Sequence, residues 1–282
     1  ISRVSSVIGG IESSFPENVR DEMAIRLIGS ALKAQSRPME QMPCGDILTP
    51  GVYDVSLLNV DANLDRMAAM LRITPQARIC LHGPPGTGKT ALGHWLAREI
   101  DRPIHLKRAS DMLSAFVGGT EQKIAEAFEQ ARSDGAILMI DEVDSFLQDR
   151  SKAVRNWEIT QVNELLTRME AYPGLFIATT NRLEHLDSAS LRRFDLKLRF
   201  DYLTVSQIRD LLGAWCARLG IAPPTDDHQG MIDSLECVTP GDFTAAARRH
   251  HFQPFAHASD VLHELAEACA MKSENSRRIG FL

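Results

Sequence analysis

The sequence predicts an α/β fold: an open parallel sheet of five strands layered with helices, followed by a small all-helical domain. Two observations carry this expectation. Between residues 46 and 203, short apolar runs alternate with amphipathic helical patterns, which is the rhythm of βα units in a parallel sheet. Beyond residue 203 the strand signals stop and only helical periodicity remains. The chain is therefore divided into a flanking helix and linker over 1–45, an α/β domain over 46–203 and a helical domain over 204–282.

In the flank, Ser14 and Glu17 stand in capping-box register ahead of Val19, Met23, Leu27, Ile28, Ala31 and Leu32 at helical spacing. Three prolines and two glycines in SRPMEQMPCGDILTPG then interrupt regular structure. Three runs read as inner strands because they are almost continuously apolar: ICLHG from Ile79, AILMID from Ala136 and LFIATT from Leu175. PIHLKR from Pro103 and LKLRF from Leu196 alternate apolar with polar residues, so they are assigned to the sheet edges. Intervening helices are marked by Ile124, Ala127, Phe128 and Ala131, and by Ile159, Val162, Leu165, Leu166 and Met169. In the last segment, Thr204 and Gln207 form a second capping-box signature before Ile208, Leu211, Leu212, Trp215 and Leu219. Two more helices fit GDFTAAARRHHF and SDVLHELAEACAMK.

The bulk properties narrow the function classes. A net charge of -6 over 282 residues supplies no global basic field for nucleic acid. The cysteines Cys44, Cys80, Cys216, Cys237 and Cys269 are odd in number and lack metal-knuckle spacing, so they read as reduced thiols, most of them buried. No apolar run reaches the roughly 18 residues that cross a bilayer, and ISRVSSVIGG lacks the core of a signal peptide. A start at Ile1 reads as a fragment of a longer chain, and the cytoplasm is the default location.

GPPGTGKT, from Gly83 to Thr90, carries the chemistry. It follows a buried strand and precedes the helical pattern ALGHWLAREI, the setting a phosphate-binding loop requires. Gly83, Gly86 and Gly88, with Pro84, Pro85 and Thr87 between them, let the backbone amides converge on phosphate oxygens. Lys89 can reach the outer phosphates, and the Thr90 hydroxyl can take a magnesium position. ILMIDEVDSF delivers Asp141 and Glu142 to the carboxyl end of an inner strand. Asp141 is assigned to hold Mg2+, and Glu142 to orient and deprotonate the attacking water. Asn181, ending the run ATTN, either holds that water and senses the terminal phosphate or caps a turn.

Taken in order, these segments resemble the AAA family of ATPases within the AAA+ group, in the form of a bacterial-type member. The resemblance extends from about residue 46 to 272. SDMLSAFVGGTEQKIAEAFEQA is similar to the first pore loop and its following helix, ATTNRLEHLDSASLRRFD to the second region of homology, and TPGDFTAAARRH to part of the lid. The resemblance implies a P-loop NTPase with a five-stranded sheet whose second and fifth strands are outermost. It also implies ATP and Mg2+ as ligands and a homo-oligomeric ring, commonly a hexamer, acting on a protein substrate. By position, Lys89 and Thr90 bind phosphate and magnesium, Asp141 and Glu142 are the acidic pair, and Asn181 is the first sensor.

Two segments depart from the family pattern. The family's LLRPGRFD is shortened here to SLRRFD, leaving Arg192 and Arg193 adjacent. Arg193 matches the second of two arginines that act on a neighbour's site, whereas Arg192 matches the first only with a re-routed loop. The pore loop reads Ala115, Phe116, Val117 and Gly118 without a lysine, and Phe116 with Val117 would grip polypeptide through non-directional apolar contact. The leading expectation is an ATP-driven protein remodeller. The alternative is a nucleotide-gated scaffold or nucleic-acid loader with weak turnover, against which the acidic net charge counts. No base-reading motif is visible; the backbone near Val55–Leu57 is a candidate for adenine by position alone.

Overall fold

The computed structural model describes residues 55–146, apart from 115 and 117, and residues 156–279. All of them fall within one compact unit, Gly45–Leu282. The proposed flanking helix over 1–45, the capping pair Ser14 and Glu17, and the pore-loop residues Ala115 and Val117 lie outside the described residues.

Five strands, β1 (Ala77–His82), β2 (Ile104–Arg108), β3 (Ile137–Asp141), β4 (Leu175–Thr180) and β5 (Leu196–Arg199), form one parallel sheet in the order β2-β3-β4-β1-β5. The two alternating strands are its edges, and the three apolar runs are its centre. The physical reason is coverage: β4 is buried at every residue because helices lie on both of its faces, while β2 is only half-buried and β5 is exposed except at Leu198.

On one face lie α1 (Leu64–Ile73) and α2 (Lys89–Glu99). Leu64, Ala68, Leu71, Leu92 and Leu96 pack there on Ile79, Leu81, Ile137, Met139 and Ile177. Helix α1, absent from the sequence-based expectation, starts at Asn63, whose side chain accepts from the Arg66 amide at 2.8 Å. After the one-turn α3 (Ala109–Met112), α4 (Gly119–Asp134) and α5 (Asn156–Ala171) cover the opposite face. There Ile124, Phe128, Val162, Leu166 and Met169 pack on Leu138, Ile140, Phe176 and Ala178. Each fully buried side chain of this kind contributes about 1.5–3 kcal/mol of transfer free energy. A row of rings runs through this layer: Phe128 stacks on Phe176 at 5.5 Å, and Phe176 on Phe194 at 6.4 Å. Phe194 follows the single turn α6 (Ser188–Leu191), so the arginine segment is anchored in the main core.

The helical region consists of α7 (Val205–Leu219), α8 (Gln229–Asp233), α9 (Pro240–Phe252) and α10 (Ala258–Ile279). It has its own core, built from Ile208, Leu212, Trp215, Phe243, Val261 and Leu262. The Thr204–Gln207 capping box opens α7, and a Thr239–Asp242 box with Pro240 at the first helical position opens α9. Leu57 packs against this core, whereas Val55, two residues earlier, packs against the sheet. Among the described residues no helix is long and apolar enough to cross a membrane.

Candidate functional site

Strand β1 sets the phosphate loop. The Phe200 amide donates to the His82 carbonyl at 2.7 Å, and the Gly83 amide donates to the Thr180 carbonyl at 3.3 Å. The chain thus leaves the sheet at Gly83 with φ +139, where a Cβ would fall 2.1 Å from the Phe200 carbonyl oxygen; only glycine fits. The loop is folded on itself. The Lys89 ammonium donates to the Gly83 and Pro84 carbonyls, each at 2.8 Å, and the buried Thr87 hydroxyl donates to the Pro84 carbonyl at 2.8 Å. Pro85 is exposed at the turn. Gly88 opens α2 and brings no side chain to cap it, so the positive end of the helix faces the loop. Burial pulls the pKa of Lys89 down to about 8, against the opposing pull of Asp141, Asp144 and Glu142.

Opposite the loop stands the carboxyl end of β3. The Thr90 hydroxyl lies 3.4 Å from both Asp141 carboxylate oxygens. The Thr179 hydroxyl donates to Asp141 and accepts from the Glu142 amide at 3.0 Å, so one threonine orients both acidic residues. Glu142 is exposed and holds φ +58, a left-handed conformation uncommon outside glycine and worth relating to function when it sits at a strand end. Asn181 is exposed at the end of β4, beside Thr180, whose hydroxyl donates to Asp144. A hydroxyl facing a carboxylate is a hard oxygen set, and it fits a small divalent cation such as Mg2+. The amide-lined, lysine-bearing loop beside it fits a polyphosphate.

The helical region closes over this loop. The Gly241 amide, in the first turn of α9, donates to the Gly86 carbonyl at 2.9 Å. Thr239 and Asp242, which cap that helix, are tied to α10 by the Lys272 ammonium, which donates to Asp242 at 2.5 Å and to the Cys237 carbonyl at 2.9 Å.

Arg192 and Arg193 are not gathered here. They precede β5 at the amino end of the sheet, whereas the phosphate loop, Asp141 and Asn181 lie at the carboxyl ends of β1, β3 and β4. The four residue steps from Arg78 to His82 along β1 span ~13 Å. Arg193 donates from Nε to Glu170 at 2.5 Å and from Nη1 to the Ala189 carbonyl at 3.1 Å. Arg192 is exposed, and none of the described residues takes an ion pair or hydrogen bond from its guanidinium.

Phe116 is 81% exposed. Its loop is strapped at the base. The Ser114 amide donates to the buried Thr120 hydroxyl at 3.0 Å, and the Phe116 amide donates to the Ser114 hydroxyl at 3.2 Å. The Lys123 ammonium donates to the Asp111 and Leu113 carbonyls at 3.1 and 3.0 Å.

Several other residues resolve into supporting roles. Trp215 is in the helical core. In the basic run Arg248–His251, Arg249 pairs with Glu264 at 2.8 Å, and the His250 ring accepts from the Phe255 amide at 2.9 Å, so part of that patch is internal to the helical region. The groups that sequence reading missed, namely Thr179, Glu170, Arg78, Lys123 and Gly241, act through partners distant in the chain or through ordinary backbone bonds. Only the TPGDF run carried a hint of this kind.

Residues 79–202 match the family described as ATPase family associated with various cellular activities (AAA). The chain is similar to nuclear valosin-containing protein-like from Mus musculus, with 40% identity over 44% of this chain and 16% of that protein. It is similar to ATP-dependent zinc metalloprotease FtsH 3 from Synechocystis sp., with 31% identity over 77% of this chain and 36% of that protein. It is similar also to protein CdcH from Halobacterium salinarum, with 37% identity over 45% of this chain and 18% of that protein. The chain thus spans at most about a third of these relatives' length. Family match, sheet order and phosphate loop agree over one stretch: residues 79–202 are similar to the ATPase domain of the AAA family.

Proposed function

We propose that this chain hydrolyses ATP with Mg2+ in a crevice completed by another copy of itself, and that the cycle remodels or translocates a protein substrate gripped at Phe116 and Val117. The observation that carries this reading is the separation of the arginine pair from the phosphate loop by the length of the sheet. Within one copy they cannot meet. Between copies arranged head to tail, as in a ring, the amino end of one sheet can face the carboxyl end of the next.

Residues 46–203 act in this reading as the nucleotide-binding domain and 204–282 as the lid. Lys89 exchanges its bonds to the Gly83 and Pro84 carbonyls for phosphate oxygens. Thr90 and Asp141 would hold magnesium, which would supply charge neutralisation at the outer phosphates. Asn181 holds the attacking water, and Glu142 takes its proton as the water oxygen bonds to the terminal phosphorus and the bond to ADP breaks. The arginine pair of the neighbouring copy neutralises charge on the phosphoryl group in transit. Closure of the lid over Gly86, and its release, moves the strapped loop that carries Phe116. The name of the similar Synechocystis protein, an ATP-dependent metalloprotease, supports ATP-driven work on protein.

The test is Glu142→Gln. Turnover should fall by about two to four orders of magnitude while ATP binding is retained; unchanged turnover removes Glu142 from this role. Stimulation of turnover by DNA or RNA, weakening steeply with salt, would favour a nucleic-acid loader instead.

A further inference from the structure

The arginine segment is short, and the structure compensates at an unexpected place. Only four residues, 192–195, separate α6 from β5. Phe194 plugs one side of this turn into the ring stack. On the other side Asp195 is grasped by Arg78, the second residue of β1. The Arg78 amide donates to Asp195 at 2.8 Å, and the guanidinium donates from Nε at 3.0 Å and from Nη2 at 2.9 Å to the two carboxylate oxygens. The Asp195 amide returns a bond to the Arg78 carbonyl at 2.8 Å. This two-toothed fork fixes direction as well as distance, as a single ammonium contact does not. Arg193 is tied at the surface to Glu170, leaving Arg192 as the exposed guanidinium of the pair with no partner among the described residues.

We propose that Arg78 is a positioning residue for Arg192, acting through Asp195, so that the shortened segment presents one arginine at a set angle to a second copy of the chain. The strand behind it is stiff: Ile79, Cys80 and Leu81 are fully buried, and the same strand runs into the phosphate loop at Gly83. Asp195, three residues after Arg192, is therefore tied to the strand that carries the same copy's phosphate loop. Neither Arg78 nor Asp195 touches the copy's own phosphate site. This inference rests on the trans-acting reading above.

The experiment compares steady-state ATP hydrolysis and thermal unfolding of the full chain with Arg78→Ala, Arg78→Lys, Asp195→Asn, the Arg78→Ala/Asp195→Asn double variant and Arg192→Ala. Arg78→Ala should lower kcat by about ten- to a hundredfold with the KM for ATP unchanged. The double variant should be no worse than the single ones, and Arg78→Lys should recover part of the loss. A merely structural tie predicts the reverse pattern, a lowered melting temperature with kcat within about twofold of the parent, and that result overturns the proposal, as would losses that add in the double variant. If Arg192→Ala leaves turnover unchanged, Arg192 is not the group presented to the neighbour and this proposal falls; if Arg193→Ala leaves it unchanged as well, the trans reading falls with it. If Arg192→Ala is inactive but Arg78→Ala is not, only the positioning role is lost.

Discussion

The backbone of Gly241, in the first turn of α9, is hydrogen-bonded to the backbone of Gly86 in the phosphate loop, with 2.9 Å between the Gly241 nitrogen and the Gly86 oxygen. Two glycines meet because nothing larger fits. A Cβ on Gly241 would fall 2.9 Å from the Gly86 Cα, against backbone that has little room to yield. The helical region therefore reads the shape of the loop directly.

Gly241→Ala should push the two apart and weaken ATP binding by about tenfold, equivalent to about 1.4 kcal/mol. A fluorescent-nucleotide titration checks this. Affinity equal to the parent would mean that the contact is incidental to nucleotide binding.

Glu170 and Arg193 form a half-exposed pair at 2.5 Å, and pairs of this exposure contribute only about 0.2–1 kcal/mol to stability. Glu170→Ala and Arg193→Ala should leave the melting temperature nearly in place. If Arg193 steadies the turn from within its own copy, both variants should lower turnover to a similar extent, with the double variant no lower. If Arg193 is itself the trans-acting group, Arg193→Ala should be far more damaging and Glu170→Ala close to the parent. A double-mutant cycle in kcat separates the two.

Phe116 is almost fully in solvent, so Phe116→Ala should change folding stability by less than about 0.5 kcal/mol. Basal hydrolysis should persist while ATP-dependent unfolding of a tagged model protein is lost. Full processing by Phe116→Ala would remove the gripping role.

The thiols give a pH-dependent check on the core. Burial pushes Cys80 up to about 12 and Cys269 up to about 11, so both stay protonated and poorly nucleophilic in the folded chain at pH 8. As the folded pKa is the higher one, the unfolded chain holds fewer protons on these sulfurs. Stability from this source is full below the unfolded value near 9 and is lost as pH rises towards 11 to 12. Alkylation at pH 8 followed by peptide mapping should label Cys80 only after denaturant is added. Rapid native labelling would contradict the burial.

The sheet was legible because each strand advertises its surroundings locally. Alternation at Ile104–Lys107 and Leu196–Arg199 marks an edge, and the unbroken run Leu175–Thr180 marks the centre. Helix α1 was overlooked although its pattern is present: Leu64, Met67, Ala68 and Leu71 recur at helical spacing behind Asn63, over only ten residues. In the site, the phosphate loop and the Asp141–Glu142 pair are contiguous motifs whose placement follows from strand ends. Gly86 with Gly241, and Arg78 with Asp195, are pairs separated by well over a hundred residues, and no local pattern announces such a meeting. A single arginine in ARICLH reads as a strand end, and only the folded chain shows what it holds.

The central claim, that catalysis needs a residue from a second copy, is tested most directly by mixing two inactive variants. Glu142→Gln copies lack a working site but keep their arginines; Arg192→Ala copies keep the site but lack the outgoing guanidinium. On mixing, hydrolysis should appear at interfaces where the first donates to the second, well above the sum of the separate rates. No gain on mixing, together with a parent rate per copy that does not change on dilution, would contradict a shared site.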